Sequence, residues 1–261
     1  THGVSSAASD VYKRQGLVGS AIAQKLSTCG YHVVGIDCDI RSQLFKDLTP
    51  LAINITQDSE SNIVSHFCDI RDTGKVRNIF KDIIKTHSLC AVIHTAAQPS
   101  HDWAKTNPLV DFSLNATATL QMLMLTQELS PGSIFIHFST NKVYGDNPNS
   151  LPVVELDTRF ELPETHGYYQ GISEQMSIDH CKHSLFGASK LSADIYAQEY
   201  ARYYGMKAIV LRGGCLTGPN HRGTELHGFM NYLIKCGVKN NPYTIFGYKG
   251  KQVRDNLASA D

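Results

Sequence analysis

Apolar positions recur at three-to-four spacing from Gly16 to Cys29, where Val18, Ile22, Ala23 and Leu26 form one stripe. The pattern predicts a helix, and Gly30 supplies its stop. Tyr31 to Ile36 is a short apolar run ending on Asp37, which predicts a strand with a carboxylate at its tip. The block His66 to Arg71 marks a second strand end. Residues Thr73 to Thr86 read as a helix, Cys90 to His94 as a strand with TAAQP leaving it, and Leu109 to Leu129 as one long helix. Ser133 to Phe138 predicts a strand with STNKVYG at its tip. Polar, proline-containing sequence from Asp146 to Asp179 predicts loops, followed by a helix over Leu191 to Tyr204 and a strand over Lys207 to Leu211. Beyond Gly218 the pattern predicts a helix near Gly228 to Cys236 and a short strand, Tyr243 to Phe246.

Strands that alternate with helices of ten or more residues imply βαβ units and a parallel sheet. The fold class is therefore α/β, a doubly wound sheet of the Rossmann-like, dinucleotide-binding kind. Ligands of such sheets lie at the carboxyl ends of the strands. Asp37, Asp69, Thr95 to Gln98, Ser139 to Lys142 and Gly213 to Cys215 all fall at such ends.

The first fifteen residues do not fit this pattern. The first strand belongs at about residues 6 to 11, where the chain reads AASDVY, and the first glycine of the phosphate-binding turn belongs at Lys13. Residues 1–15 thus read as a foreign segment with the first strand missing. Residues 16–213 read as the dinucleotide-binding domain, and 214–261 as the incomplete start of a substrate-binding lobe.

Charge changes little. Lysine plus arginine equals aspartate plus glutamate, 24 against 24, which points away from nucleic acid and from an anionic membrane surface as partners. The seven cysteines form no CxxC pair and no closed metal set, which suggests reduced thiols, a cytoplasmic location and no metal site. No apolar run is long enough to span a bilayer.

Candidate chemistry begins at Gly16 and Gly19, the second and third glycines of a phosphate-binding turn that opens a helix. Asp37, 21 residues beyond Gly16, suits the adenosine ribose hydroxyls and repels a 2′-phosphate, so NAD is expected over NADP. Arg41 offers a cation that softens this preference. Asp69 and Ile70 suit the adenine edge, and Ala96 and Ala97 are small enough for a cofactor to lie against the backbone.

The strings STNKVYGD at 139–146, HSLFGASK at 183–190 and GKQVRD at 250–255 resemble the extended short-chain dehydrogenase/reductases of the NAD-dependent epimerase/dehydratase family, and the resemblance runs from 16 to 261. It implies bound NAD, a nucleotide sugar as substrate and a homodimer. It makes Thr140 and Lys190 catalytic, with Lys190 also on the nicotinamide ribose, places Asn141 and Lys142 against the sugar, and puts Arg254 on the nucleotide phosphate. Within the family the strings are most similar to enzymes that epimerise C2 of a CDP-linked dideoxysugar through a transient ketone. A sugar dehydratase carries Asp and Glu where this chain has Asn141 and Lys142, so dehydration is not expected. The family's tyrosine base falls at position 186, which is Phe186. Either another group serves, with Tyr168, Tyr169, His183, Lys142 and Cys215 as candidates, or the chain binds NAD with little turnover. Another sugar-nucleotide epimerase or a reductase is the remaining alternative.

Overall fold

In the computed structural model of the protein the described residues are 5–8, 16–40, 62–218, 221 and 228–260. Six parallel strands form one sheet: β1 (Ser5–Ala8), β2 (His32–Asp37), β3 (Ile63–Phe67), β4 (Ser88–His94), β5 (Ile134–Phe138) and β8 (Lys207–Leu211), in the order β3-β2-β1-β4-β5-β8. The chain reverses direction across the sheet between β1 and β4, which opens a crevice at their carboxyl ends. A hairpin of two-residue strands, β6 (Val154–Glu155) with β7 (Phe160–Glu161), interrupts the loops after β5.

The first strand is present, contrary to the expectation from the sequence. Ser5–Ala8 lies between β2 and β4, pairing Ala7 with Val33 on one side and with Ala91 on the other. A central strand is held through backbone N–H and C=O groups on both edges, and serine and alanine offer these as fully as valine does. Side-chain alternation alone could not reveal it.

The helices cover both faces. α1 (Leu17–Thr28) packs Ala23 and Leu26 against Val33, Ile63 and Tyr31. The larger core joins α2 (Thr73–Thr86) and α5 (Ala118–Leu129) to the sheet, with Val76, Phe80 and Ile83 meeting Val34, Val92, Phe135, Met122 and Leu125. Asp72 caps α2 by accepting from the Lys75 N–H at 3.1 Å. Strand β2 is buried through its whole interior, as a strand covered on both faces must be, whereas β8 exposes alternate residues at the sheet's edge.

Three other elements differ from the sequence pattern. The expected helix Leu109–Leu129 is α4 (Pro108–Phe112), a π turn over Ser113–Thr117, and α5. The wider turn accompanies Asn115, whose side chain is drawn into a buried polar network. The helix expected from Leu191 starts at Ser184, so α6 (Ser184–Tyr204) carries the whole FGASK string on its first turns. Tyr243–Phe246 is not a strand. After α7 (Phe229–Val238), Asn256–Ala258 forms β10 and pairs in parallel with β9 (Cys215–Thr217). The backbone thus folds residue 255 back onto 214. A carbon added at Gly214 would run into the Asp255 carboxylate, which explains a glycine there. Among the described residues no helix is long and apolar enough to cross a membrane.

Candidate functional site

The carboxyl ends of β2, β3, β4, β5 and β8 carry most of the residues singled out in the sequence. Gly16 is the N-cap of α1 and Gly19 lies in its first turn; both are buried. Among the described residues this helix end has no side-chain cap, and its first turn has no acidic residue. N–H groups at the start of a helix suit a diphosphate. Asp37 ends β2, and its Oδ1 accepts from the Asp39 N–H at 2.8 Å. Asp69 lies beyond β3 in a bidentate ion pair with Arg71, with a shortest contact of 2.5 Å. Burial raises the Asp69 pKa, but the Arg71 hydrogen bonds and charge outweigh it and the net direction is downward. The neighbouring Ile70 side chain belongs to the core, 1% exposed, so only its backbone is at hand for a ligand. Ala96 is buried and Ala97 half-buried in the loop after β4. Arg41 lies outside the described residues, as do Arg222, Glu225 and His227 from the neighbourhood of Gly218.

Across the crevice, Thr140 follows β5 and caps a short 3₁₀ turn, Asn141–Tyr144. Its Oγ1 accepts from the Lys142 N–H at 3.2 Å. Lys190 reaches the same strand end from α6. It is 2% exposed, and its ammonium donates to the Phe138 carbonyl at 2.8 Å. The hydroxyl and the ammonium therefore converge on two residues, 138 and 140, of one strand end.

Asn141 donates to Asp255 at 3.1 Å through its side chain and to the Gly213 carbonyl at 2.9 Å through its backbone. Lys142 and Arg254 send their charge toward Cys215, whose thiol is pushed up by burial and by Asp255 against those two cations. Arg254 is exposed and its guanidinium donates to Gln252. Asn141, Lys142 and Arg254 thus share one mouth with Asp255.

Two buried networks brace this half. In the first, Asp111 accepts from Ser189 Oγ at 2.6 Å, from Gln98 Nε2 at 2.8 Å and from Asn115 Nδ2 at 3.0 Å. Asn115 also accepts from the Gln98 N–H at 2.8 Å. Burial pushes the Asp111 carboxyl up against the pull of Ser189, Gln98 and Lys190. In the second, Asp194 is fully buried, takes a bidentate pair from Arg212 at 2.9 and 3.0 Å, and accepts from Ser139 Oγ at 2.5 Å. Arg212 also donates to the Tyr144 hydroxyl at 2.9 Å. Ser189 and Asp194 flank Lys190 on its helix, so both networks fix the lysine's position.

Phe186 occupies its helix one turn before Lys190, is 7% exposed, and packs its ring 4.7 Å from that of His101. Of the groups considered as bases in its stead, His183 is engaged through Nε2 with the Ile178 carbonyl at 2.8 Å. Tyr168 packs against the Val143–Tyr144–Met176 cluster. Tyr169 is half-buried in the loops before α6. Sequence reasoning did not single out His101, Asp111, Asn115, Asp194, Arg212 or Asp255. Two had a local signal: His101 sits three residues beyond Gln98 in the loop leaving β4, and Asp255 follows Arg254 at the end of the GKQVRD string; the others become neighbours only through the fold.

The profile of the NAD dependent epimerase/dehydratase family matches residues 14–261. A CDP-paratose 2-epimerase from Salmonella typhi is 32% identical over 200 residues, covering 74% of this chain and 55% of that protein. A dTDP-glucose 4,6-dehydratase from Salmonella typhimurium is 28% identical over 217 residues, 80% of this chain and 55% of its own length. The chain thus spans about half the length of these two relatives. In fold, the UDP-glucose 4-epimerase of Thermus thermophilus, solved with NAD, superposes with a TM-score of 0.70 at 22% identity, over 97% of this chain and 70% of that one.

Proposed function

Because the chain belongs to the NAD-dependent epimerase/dehydratase family, we propose that it is part of a nucleotide-sugar epimerase that inverts C2 of a CDP-linked dideoxysugar. The observation that carries this reading is the convergence of Thr140 and Lys190 on the end of β5. The likeness to the CDP-paratose 2-epimerase of Salmonella typhi supports the choice of nucleotide and carbon.

The cofactor is NAD, which when bound accepts and returns a hydride and leaves no net redox change. Gly16 and Gly19 hold its diphosphate at the uncapped end of α1, with Asp37 on the adenosine ribose and Asp69 and Ile70 beside the adenine. Ala96 and Ala97 give it a flat wall, and Lys190 binds the nicotinamide ribose.

Thr140 acts on the sugar. Its Oγ1 already accepts a backbone N–H, so its hydroxyl proton is directed outward to the sugar oxygen, where it stabilises negative charge as a ketone forms and collapses. Buried Lys190 adds positive potential to the same place. Asn141 and Lys142 contact the sugar, and neither is a carboxylic acid, so this pair does not supply the acid and base of a dehydration. Arg254 meets the phosphate, to which a guanidinium binds bidentately. We place the protein in the cytoplasm as a homodimer; exposed apolar Leu109 and Tyr203 on α4 and α6 support the latter.

The assay supplies CDP-paratose to the full-length protein without external reductant. The C2 epimer is expected to accumulate, and Thr140→Ala is expected to lower kcat by about a hundredfold while leaving the Kd for NAD within about twofold. Stoichiometric NADH with no epimer would overturn the reading. Phe186 favours a second reading, an NAD-binding subunit with little turnover, which the same assay separates: NAD binds and neither product forms.

A further inference from the structure

We propose that His101 is the proton acceptor of this site, replacing the phenol that position 186 lacks. The inference rests on the epimerase reading above. Residues 186 and 190 are one helical turn apart on α6, so the ring at 186 marks the place that a phenol would occupy near the Lys190 ammonium. A phenylalanine there cannot carry a proton. The imidazole of His101 packs against that ring, with centroids 4.7 Å apart and planes inclined at 58°.

The local bonds orient this imidazole. His101 opens α3 (His101–Thr106), and its Nδ1 lies 2.9 Å from Ser184 Oγ, two residues before Phe186. Ser184 Oγ also accepts the Gly187 N–H at 3.2 Å. With Nδ1–H donating to Ser184, the lone pair of the neutral ring resides on Nε2, which has no partner among the described residues. The ring keeps one open edge toward solvent. Protein packed against its other side, together with the Lys142 ammonium, holds the His101 pKa below the ordinary histidine value, against the opposite pull of Asp102. A neutral, accessible imidazole is the state a general base requires.

The supporting frame is rigid. Gln98 donates to the Ser100 carbonyl at 2.8 Å and accepts from the Ser100 N–H, fixing the residue just before His101. The same Gln98 binds Asp111, which binds Ser189, the residue just before Lys190. One network therefore sets both the imidazole and the ammonium. Other bases are less suited: His183 has its Nε2 engaged, and burial keeps the Cys215 thiol protonated.

In the oxidative half, the sugar's O–H bond breaks and its proton passes to Nε2. Bound NAD would supply the acceptor for the hydride lost from the same carbon as its C=O bond forms, and would return it to the other face. In that return His101 gives its proton back to the oxygen.

The test uses full-length, NAD-loaded protein. His101→Gln is expected to lower kcat with CDP-paratose by about a hundredfold or more, with KM changed by less than about threefold, and to remove the acid limb of kcat/KM against pH. His101→Gln combined with Phe186→Tyr is expected to recover part of kcat, with a new limb at higher pH. A single variant that keeps kcat within about fivefold, or keeps the acid limb, overturns the proposal. A second measurement reads the ring directly. The ¹⁵N signals lost in His101→Gln should report an imidazole unprotonated at Nε2 at neutral pH, and should shift when CDP-paratose is added. A protonated ring at neutral pH, or signals indifferent to the nucleotide sugar, overturns it as well. If the wild-type chain turns over no CDP-paratose, the epimerase reading falls, and the nitrogen signals still decide the state of His101.

Discussion

Four aspartates separate the two halves of the crevice. On the adenosine side, Asp37 and Asp69 sit at strand ends and bond to residues two positions further along the chain, Asp39 and Arg71. On the reacting side, Asp111 and Asp194 are buried, and their partners Ser189, Ser139 and Gln98 come from distant segments. Turn-level bonds near solvent are exchanged at little cost when a ligand arrives. Buried charge held by donors from several elements is not, because losing any donor leaves a desolvated carboxylate. The adenosine side is thus adjustable, and the side that places Thr140 and Lys190 is stiff, as the positioning of reacting groups demands.

The largest expected effect breaks the stiff half. Arg212→Leu strands the buried Asp194 carboxylate, and urea unfolding should show a loss of about 3–5 kcal/mol. A loss under about 1 kcal/mol would mean that Ser139 and Gln198, which also donate to Asp194, suffice to hold it.

The next effect is acid sensitivity beneath the lysine. His137 is fully buried, pairs in register with His94 across β5 and β4, and has neither ring nitrogen bonded among the described residues. Burial, then the Lys190 and His94 charges, lowers its pKa well below the ordinary 6.5. The unfolded chain therefore takes up a proton below pH 6.5 that the native ring refuses, so stability falls with pH from that point until the native ring protonates. Each such proton contributes a slope of about 1.4 kcal/mol per pH unit. His137→Leu should remove one proton's worth of that slope as the pH falls below 6.5, read from urea midpoints across pH. An unchanged slope would mean that His137 protonates in the native state.

The smallest effect belongs to the adjustable half. Asp37→Ala should reduce the preference for NAD over NADP about tenfold, about 1.4 kcal/mol, and change the unfolding free energy by less than about 0.5 kcal/mol. Cofactor titrations and urea curves on the same samples check both. Equal affinity of the parent for the two cofactors would remove Asp37 from the ribose.

Much of this contrast was legible along the chain. The ends of β2, β4 and β5 follow from apolar runs that stop at Asp37, His94 and Phe138, and Thr73–Thr86 is helical over the very span its periodicity predicts. The hidden parts were of two kinds. Ser5–Ala8 carries no apolar signature because its pairing is a backbone matter. Asn115 interrupts a periodic helix because its amide bonds to Gln98, Asp111 and Ser189, of which Ser189 lies 74 residues away. Neither kind of information lies in local spacing.

The sequence alone determined the alternation of strands and helices, the glycines at the start of α1, Asp37 at a strand tip, and Lys190 four residues beyond a phenylalanine. These rest on periodicity and residue type, which act over a few positions at a time. Only the tertiary structure decided that Lys190 is buried against Phe138, that His101 lies against Phe186, and that Asp255 folds back onto Gly214 and Asn141. Such neighbours arise when separate elements dock, and the burial that docking imposes sets which charges must be paired and which rings stay neutral.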